Sequence, residues 1–162
     1  VTGVQTCALP ISSILAKTEA LAAGFDEAIL LNQDGSVSEG SGENLFMIRD
    51  GVINTPSETD NCLLGITRDS VIQLAKDELG LEVVQRHIHR SELYLADEVF
   101  LTGTAAHLTS VGELDNRNIG TGETGHITKK LQDLYFKTVV GDQPNYADWC
   151  TMVTPSSGKA GG

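Results

Sequence analysis

Between Ser12 and Gly24, apolar side chains fall at Ile14, Leu15, Ala20 and Leu21. Ser12 or Ser13 is placed to cap a helix and Gly24 to end it, so this stretch predicts a helix. The short apolar run Ala28 to Leu31, closed by Asn32-Gln33-Asp34-Gly35, predicts a strand and a turn. Ser36 to Glu39 resumes an extended pattern, and Gly40-Ser41-Gly42 makes a flexible corner. Asn44 to Arg49 and Val52 to Thr55 flank Asp50-Gly51, a pair that readily takes positive φ, and this is the clearest hairpin in the chain. Thr67 to Leu79 carries Val71, Ile72, Leu74, Ala75 and Leu79 on one face before Gly80, the strongest helical signal. Glu82 to Ile88 and Glu98 to Thr102 read as buried strands around the segment Ser91 to Ala96. Ile127 to Val140 reads as a second amphipathic helix, with Leu131, Leu134, Tyr135 and Val139 on one side.

Helices and strands alternate, yet the Asp-Gly hairpin demands antiparallel pairing. The expected fold is therefore of mixed α/β class, a mixed sheet with packed helices. No internal repeat is visible. Residues 154–162 are rich in Pro, Ser and Gly and are expected to be a disordered tail.

A length of 162 residues suits one compact domain, and 40% apolar with 20% charged residues is an ordinary globular mix. The formal charge of −11 argues against nucleic-acid binding, which needs clustered Lys and Arg. No apolar run reaches membrane-spanning length, so no membrane partner is expected. Cys7, Cys62 and Cys150 stand far apart in no metal-ligand spacing, which favours a reduced, cytoplasmic chain. The acidic balance otherwise speaks of solubility and names no partner.

Three segments together resemble the fold-type IV pyridoxal-phosphate enzymes, and among them the branched-chain amino-acid aminotransferases. They are Ser38-Glu39-Gly40-Ser41-Gly42-Glu43-Asn44-Leu45-Phe46, Leu63-Leu64-Gly65-Ile66-Thr67-Arg68-Asp69, and Tyr94 through Ala106. The similarity runs from about Ser13 to Val153, and Tyr146-Ala147-Asp148-Trp149 also resembles the transaminase branch more than its lyase relatives. It implies the C-terminal, larger domain of such an enzyme over residues 12–153. It also implies pyridoxal 5'-phosphate as cofactor, an amino acid and a 2-oxo acid as substrates, and a homodimer or higher homo-oligomer for the intact enzyme. A D-amino-acid transaminase or aminodeoxychorismate lyase of the same fold is the alternative, as is a non-catalytic domain that has lost its chemistry.

The residue types suit that chemistry. Pyridoxal phosphate draws electrons from the substrate α-carbon into its ring, so the ring nitrogen needs an anionic partner. By resemblance this is Glu39, which shares a strand face with Val37, although most glutamates are surface residues. Gly65, Ile66 and Thr67 open the strongest predicted helix, where free N–H groups favour an anion, although Thr67 could simply cap it. In the family pattern Ile66 and Thr67 hold the phosphate and Leu63 packs on the cofactor ring. Thr104 adds a second phosphate hydroxyl, and the Thr104-Ala105-Ala106 turn takes the substrate carboxylate. From the residues alone, Gly103 to Ala106 is just a tight turn. His87, His89, His107 and His126 show no ligand spacing and read as structural, although His107 stands where relatives carry an acidic residue. Arg68 reads as a structural ion pair in its helix.

The family also uses a lysine that binds the cofactor covalently and moves the α-proton. Aligned without gaps, that position falls on Gln5, and the tyrosine that assists it falls on Pro10. Lys17 lies inside the next helix and reads as a lysine on a solvated face. Residues 1–11 resemble a translated sequencing-library adapter rather than this family, with a join at Ile11/Ser12. They are expected to be a non-native leader on a truncated gene, and the chain as written is expected to be inactive alone.

Overall fold

The computed structural model describes residues 11–151 and Val153. Gln5, Pro10, most of the expected leader and the expected tail lie outside them. The centre of the molecule is a five-stranded mixed sheet in the order β5-β4-β3-β6-β7. β3 (Asn44–Arg49) lies in the middle because its run Asn44 to Ile48 is buried on both faces. It turns through Asp50 and Gly51, at φ 52° and 77°, into antiparallel β4 (Val52–Thr55), as the Asp-Gly pair predicts. On its other edge it pairs antiparallel with β6 (Glu98–Gly103), which pairs in turn with β7 (His107–Val111). A crossover through α2 (Ile66–Asp77) brings β5 (Val83–Gln85) parallel to β4, which makes the sheet mixed. The fold class expected from the sequence is the one found.

Helices cover one face. Val71, Leu74 and Ala75 of α2 join Leu131, Leu134 and Tyr135 of α4 (His126–Val139) against Phe46, Ile48, Ile53 and Phe100. The Phe46 and Phe100 rings stack there at 4.8 Å. Leu79 is partly buried against the same core, whereas Val139, expected on the apolar side of α4, is largely exposed. The other face buries Leu45, Met47, Val99 and Leu101 beneath Val37, Ile88, Leu93 and Ile119. These come from β2 (Val37–Gly40), which pairs with β1 (Ile29–Leu31), from α3 (Arg90–Leu93) and the segment before it, and from the loop after the β8–β9 hairpin (Glu113–Leu114, Arg117–Asn118).

Several expectations need correction. α1 (Ile11–Ala22) is a helix ended by Gly24 at φ 89°, but its apolar residues Ile14, Leu15 and Leu21 are exposed and only Ser13 is buried. No described element packs on that stripe, and a hollow of about 640 Å³ separates α1 from β7 and its neighbours. The expected strand Glu82 to Ile88 shrinks to three residues, two of them half-buried, because beyond Gln85 the chain leaves the sheet. α1 begins at Ile11, the last residue of the expected leader. No helix among the described residues is long and apolar enough to cross a membrane.

The start of α4 is capped from the sheet. Glu98 Oε1 accepts from Ile127 N–H at 3.0 Å, and Oε2 accepts from Thr128 N–H at 2.7 Å and its hydroxyl at 2.6 Å. A carboxylate on first-turn N–H groups also meets the positive end of the helix dipole. Glu98→Ala is therefore expected to lower unfolding stability by about 1–2 kcal/mol, read by urea denaturation. A change within error would show that water replaces the cap without loss.

Candidate functional site

The three resembling segments meet at one rim of the sheet. Glu39, half-buried on β2, reaches the loop before α2, where its Oε2 accepts the Leu63 N–H at 2.9 Å. Its other carboxylate oxygen has no donor among the described residues. Asn44, buried at the start of β3, donates to the Leu63 carbonyl at 2.5 Å. Gly65 packs so closely on the Asn44 side chain that a Cβ there would collide with Asn44 Oδ1. Asn44 is also registered against Thr102 on β6, and Gly103 lies against Gly42 and Glu43 of the corner after β2. A continuous set of contacts thus runs from Glu39 through Leu63, Gly65 and Asn44 to the β6–β7 turn that carries Thr104, Ala105 and Ala106.

Gly65, with extended backbone, is the N-cap of α2, so Thr67 sits in the first turn and does not cap the helix. The N–H groups of Ile66, Thr67 and Arg68 have no acceptor among the described residues. Leu63 and Ile66, at 72% and 88% relative exposure, stand as apolar side chains beside those donors. Thr104 and Ala105 are exposed, and the Thr102 hydroxyl just beneath them is buried without a partner among the described residues. These residues form an open shelf. A groove of about 630 Å³ between α2 and α4 is lined by Ile66, Thr67, Tyr135 and Trp149, but Glu39, Leu63 and Thr104 lie outside it.

The surroundings of the shelf settle other expectations. Lys17 does not project into solvent: its ammonium donates to Glu27 Oε2 at 2.5 Å and to the Asp26 carbonyl at 2.7 Å. Burial pushes the Glu27 carboxyl up, but bonds from Lys17 and Ser41 outweigh it and bring it below the ordinary value. Burial raises the neighbouring Glu43 carboxyl, and Glu27 beside it raises it further. The opposite shifts mark Glu27 as the more acidic of two close carboxyl groups. His107 opens β7 at φ 53° and turns its ring onto Tyr135 and Phe136 of α4 rather than into the turn. Arg68 is buried and donates to the Pro56 carbonyl and Gln85 Oε1, each at 3.0 Å, besides its pairing with Asp69 at 3.3 Å. Asn44 is the site residue that the sequence reading missed. Its signal was a carboxamide opening an otherwise apolar strand.

The sequence profile of the amino-transferase class IV family matches residues 8–114. The chain belongs to the class IV aminotransferases. A probable branched-chain-amino-acid aminotransferase of Aquifex aeolicus (strain VF5) is 59% identical over 143 residues, 88% of this chain and 46% of that protein. The branched-chain-amino-acid aminotransferase of Escherichia coli (strain K12) is 46% identical over a stretch of the same length and coverage. Among solved class IV relatives, the branched-chain amino acid aminotransferase from Thermobaculum terrenum in its PLP form superposes with a TM-score of 0.85 at 44% identity. That match covers 87% of this chain and 46% of that one. The branched-chain aminotransferase from Thermoproteus uzoniensis with norvaline gives 0.83 at 46% identity, again covering 87% and 46%. This class IV chain therefore spans about half the length of the relatives it matches.

Proposed function

We propose that this chain is the C-terminal part of a pyridoxal-phosphate branched-chain amino-acid aminotransferase, which exchanges an amino group between Leu, Ile or Val and 2-oxoglutarate. The observation that carries the reading is the chain of contacts joining Glu39, Leu63, Gly65 and the Gly103–Thr104 turn at one rim. The residues present suit the cofactor: a carboxylate with one free oxygen, a helix start with free N–H groups, and exposed apolar side chains between them. When bound, pyridoxal phosphate supplies an electron sink for the substrate α-carbon. Glu39 holds a proton on the ring nitrogen, and the Leu63 N–H fixes the carboxylate that does so. The N–H groups of Ile66 and Thr67, with Gly65 leaving room at the cap, and the Thr104 hydroxyl bind the phosphate. The exposed Leu63 side chain would pack against the cofactor ring. Thr104, Ala105 and Ala106 orient the substrate carboxylate. The reading also implies a cytoplasmic homodimer or higher homo-oligomer, and the exposed apolar stripe of α1 supports the assembly.

Alone, the chain is expected to form no glutamate from leucine and 2-oxoglutarate, because Lys17, the lysine nearest the expected position, is engaged by Glu27 and Asp26. Joined to the preceding half of the Aquifex aeolicus relative, it is expected to gain leucine-dependent glutamate formation. Activity of the chain alone, with Lys17 carrying the pyridoxyl group after borohydride treatment, would overturn this assignment. Failure of the joined protein to act on leucine, isoleucine or valine would remove the substrate class.

A further inference from the structure

The loop between β4 and α2 has little apolar anchorage, since Asn61, Leu63, Leu64 and Ile66 are all exposed or nearly so. Its shape rests on polar contacts, and the most concentrated set lies at Asp60. That side chain is only 4% exposed, and its carboxylate accepts from Ser57 N–H at 2.8 Å, the Ser57 hydroxyl at 2.5 Å and His87 Nδ1 at 2.7 Å. Burial pushes the Asp60 carboxyl up, but the bonds from Ser57 and His87 outweigh it and hold it below the ordinary carboxylate value. An ionised carboxylate in this position fixes Nδ1 as the protonated ring nitrogen.

The contacts continue directly into the site loop. The Asp60 carbonyl accepts from Asn32 Nδ2 at 3.0 Å, and Asn61 Nδ2 donates to Asn32 Oδ1 at 2.9 Å. Asn61, at φ 58°, passes its own carbonyl to the Ser38 hydroxyl at 3.1 Å, next to Glu39. His87 belongs to the irregular segment between β5 and α3 and is held there by Arg86, whose guanidinium donates to the His87 carbonyl at 2.8 Å. Its Nε2 lies 3.6 Å from Asp34 in the β1–β2 turn, and the His89 ring meets it edge-on. His87 thus ties the loop to the segment before α3, while Asn32 ties it to the β1–β2 turn.

Resting on the reading of the site given above, we propose that His87 is a positioning residue. Seated on Asp60, its imidazole keeps residues 61–67 in the shape that directs the free N–H groups of Ile66 and Thr67 at a phosphate. Preorganised donors bind an anion without the cost of ordering a loop at that moment.

The test compares the full chain with its His87→Leu and His87→Asn variants. The asparagine amide stands the same number of bonds from Cα as Nδ1 and restores the donor. Amide exchange read by mass spectrometry is expected to quicken about tenfold over residues 61–67 in His87→Leu, with the sheet unchanged. Pyridoxamine 5'-phosphate is the probe for the second arm, followed by the fluorescence of Trp149, which lines the groove with Ile66 and Thr67. Its dissociation constant is expected to rise about fivefold in His87→Leu, and both effects are expected to revert in His87→Asn. Unchanged exchange over 61–67, faster exchange spread evenly through the chain, or no recovery in His87→Asn overturns the proposal. A wild-type chain that binds no pyridoxamine phosphate, while His87→Leu still loosens 61–67, supports the clamp and overturns the reading of the site.

Discussion

Glu39→Gln is expected to lower kcat about 100-fold in the enzyme joined to its preceding half, while changing cofactor affinity far less. The substitution keeps the shape of the side chain, and its amide oxygen still accepts the Leu63 N–H that Glu39 Oε2 holds at 2.9 Å. What disappears is the negative charge. Without it the ring nitrogen no longer keeps its proton, and electrons leaving the α-carbon have a weaker sink. On the proposed reading, phosphate binding depends on the start of α2 and on the β6–β7 turn, which the change does not touch. Steady-state turnover of leucine with 2-oxoglutarate, set beside a cofactor titration, separates the two effects. Equal turnover in the variant would show that the carboxylate acts only by holding Leu63 in place.

Arg68→Ala is expected to cost about 3–5 kcal/mol of unfolding stability. Arg68 is 1% exposed, and its guanidinium joins three parts of the fold: the Pro56 carbonyl in the loop after β4, Gln85 at the end of β5, and α2 itself. The ion pair with Asp69 contributes little, because the Asp69 side chain is 67% exposed and water competes for it. The larger loss comes from a buried carbonyl left without a donor and from the cavity where the guanidinium packed. Arg68→Lys is expected to recover only part of this, since one ammonium cannot reproduce the planar fork. Urea denaturation measures the difference. A loss below about 1 kcal/mol for the alanine variant would mean that water enters and satisfies these groups.

How much of this is legible in the sequence follows from where each residue finds its partner. α2 and the β3–β4 hairpin are readable because their signals are local: a helical apolar stripe before Gly80, and Asp-Gly between two apolar runs. β7 is not. Its residues His107 to Val111 show no strong alternation, and they are a strand only because β6 offers them an edge. The stripe on α1 is visible, but its exposure is not, since whether a stripe is buried depends on what lies opposite. In the site, Glu39, Gly65 and Thr67 can be singled out by residue type and resemblance. The part played by Asn44 cannot, because it donates to Leu63 across a long stretch of chain. His87 and His89 alternate as residues of a strand would, yet the strand ends at Gln85 and the His87 ring turns onto Asp60.

The central place of β3 fixes an order of events when the chain folds. Its partner on one side, β4, follows after a two-residue turn, so that pairing closes a short loop and forms within microseconds, on the order of 1–10 μs. Its partner on the other side is β6, where Asn44 must find Thr102, and the entropy of closing so long a loop is spent before any of the paired surface is gained. Until β6 pairs, one edge of β3 presents unpaired N–H and C=O groups beside Leu45, Phe46, Met47 and Ile48, an edge on which a second chain can pair. Protein released at high concentration from denaturant should therefore lose yield through this edge, and slow dilution should recover it.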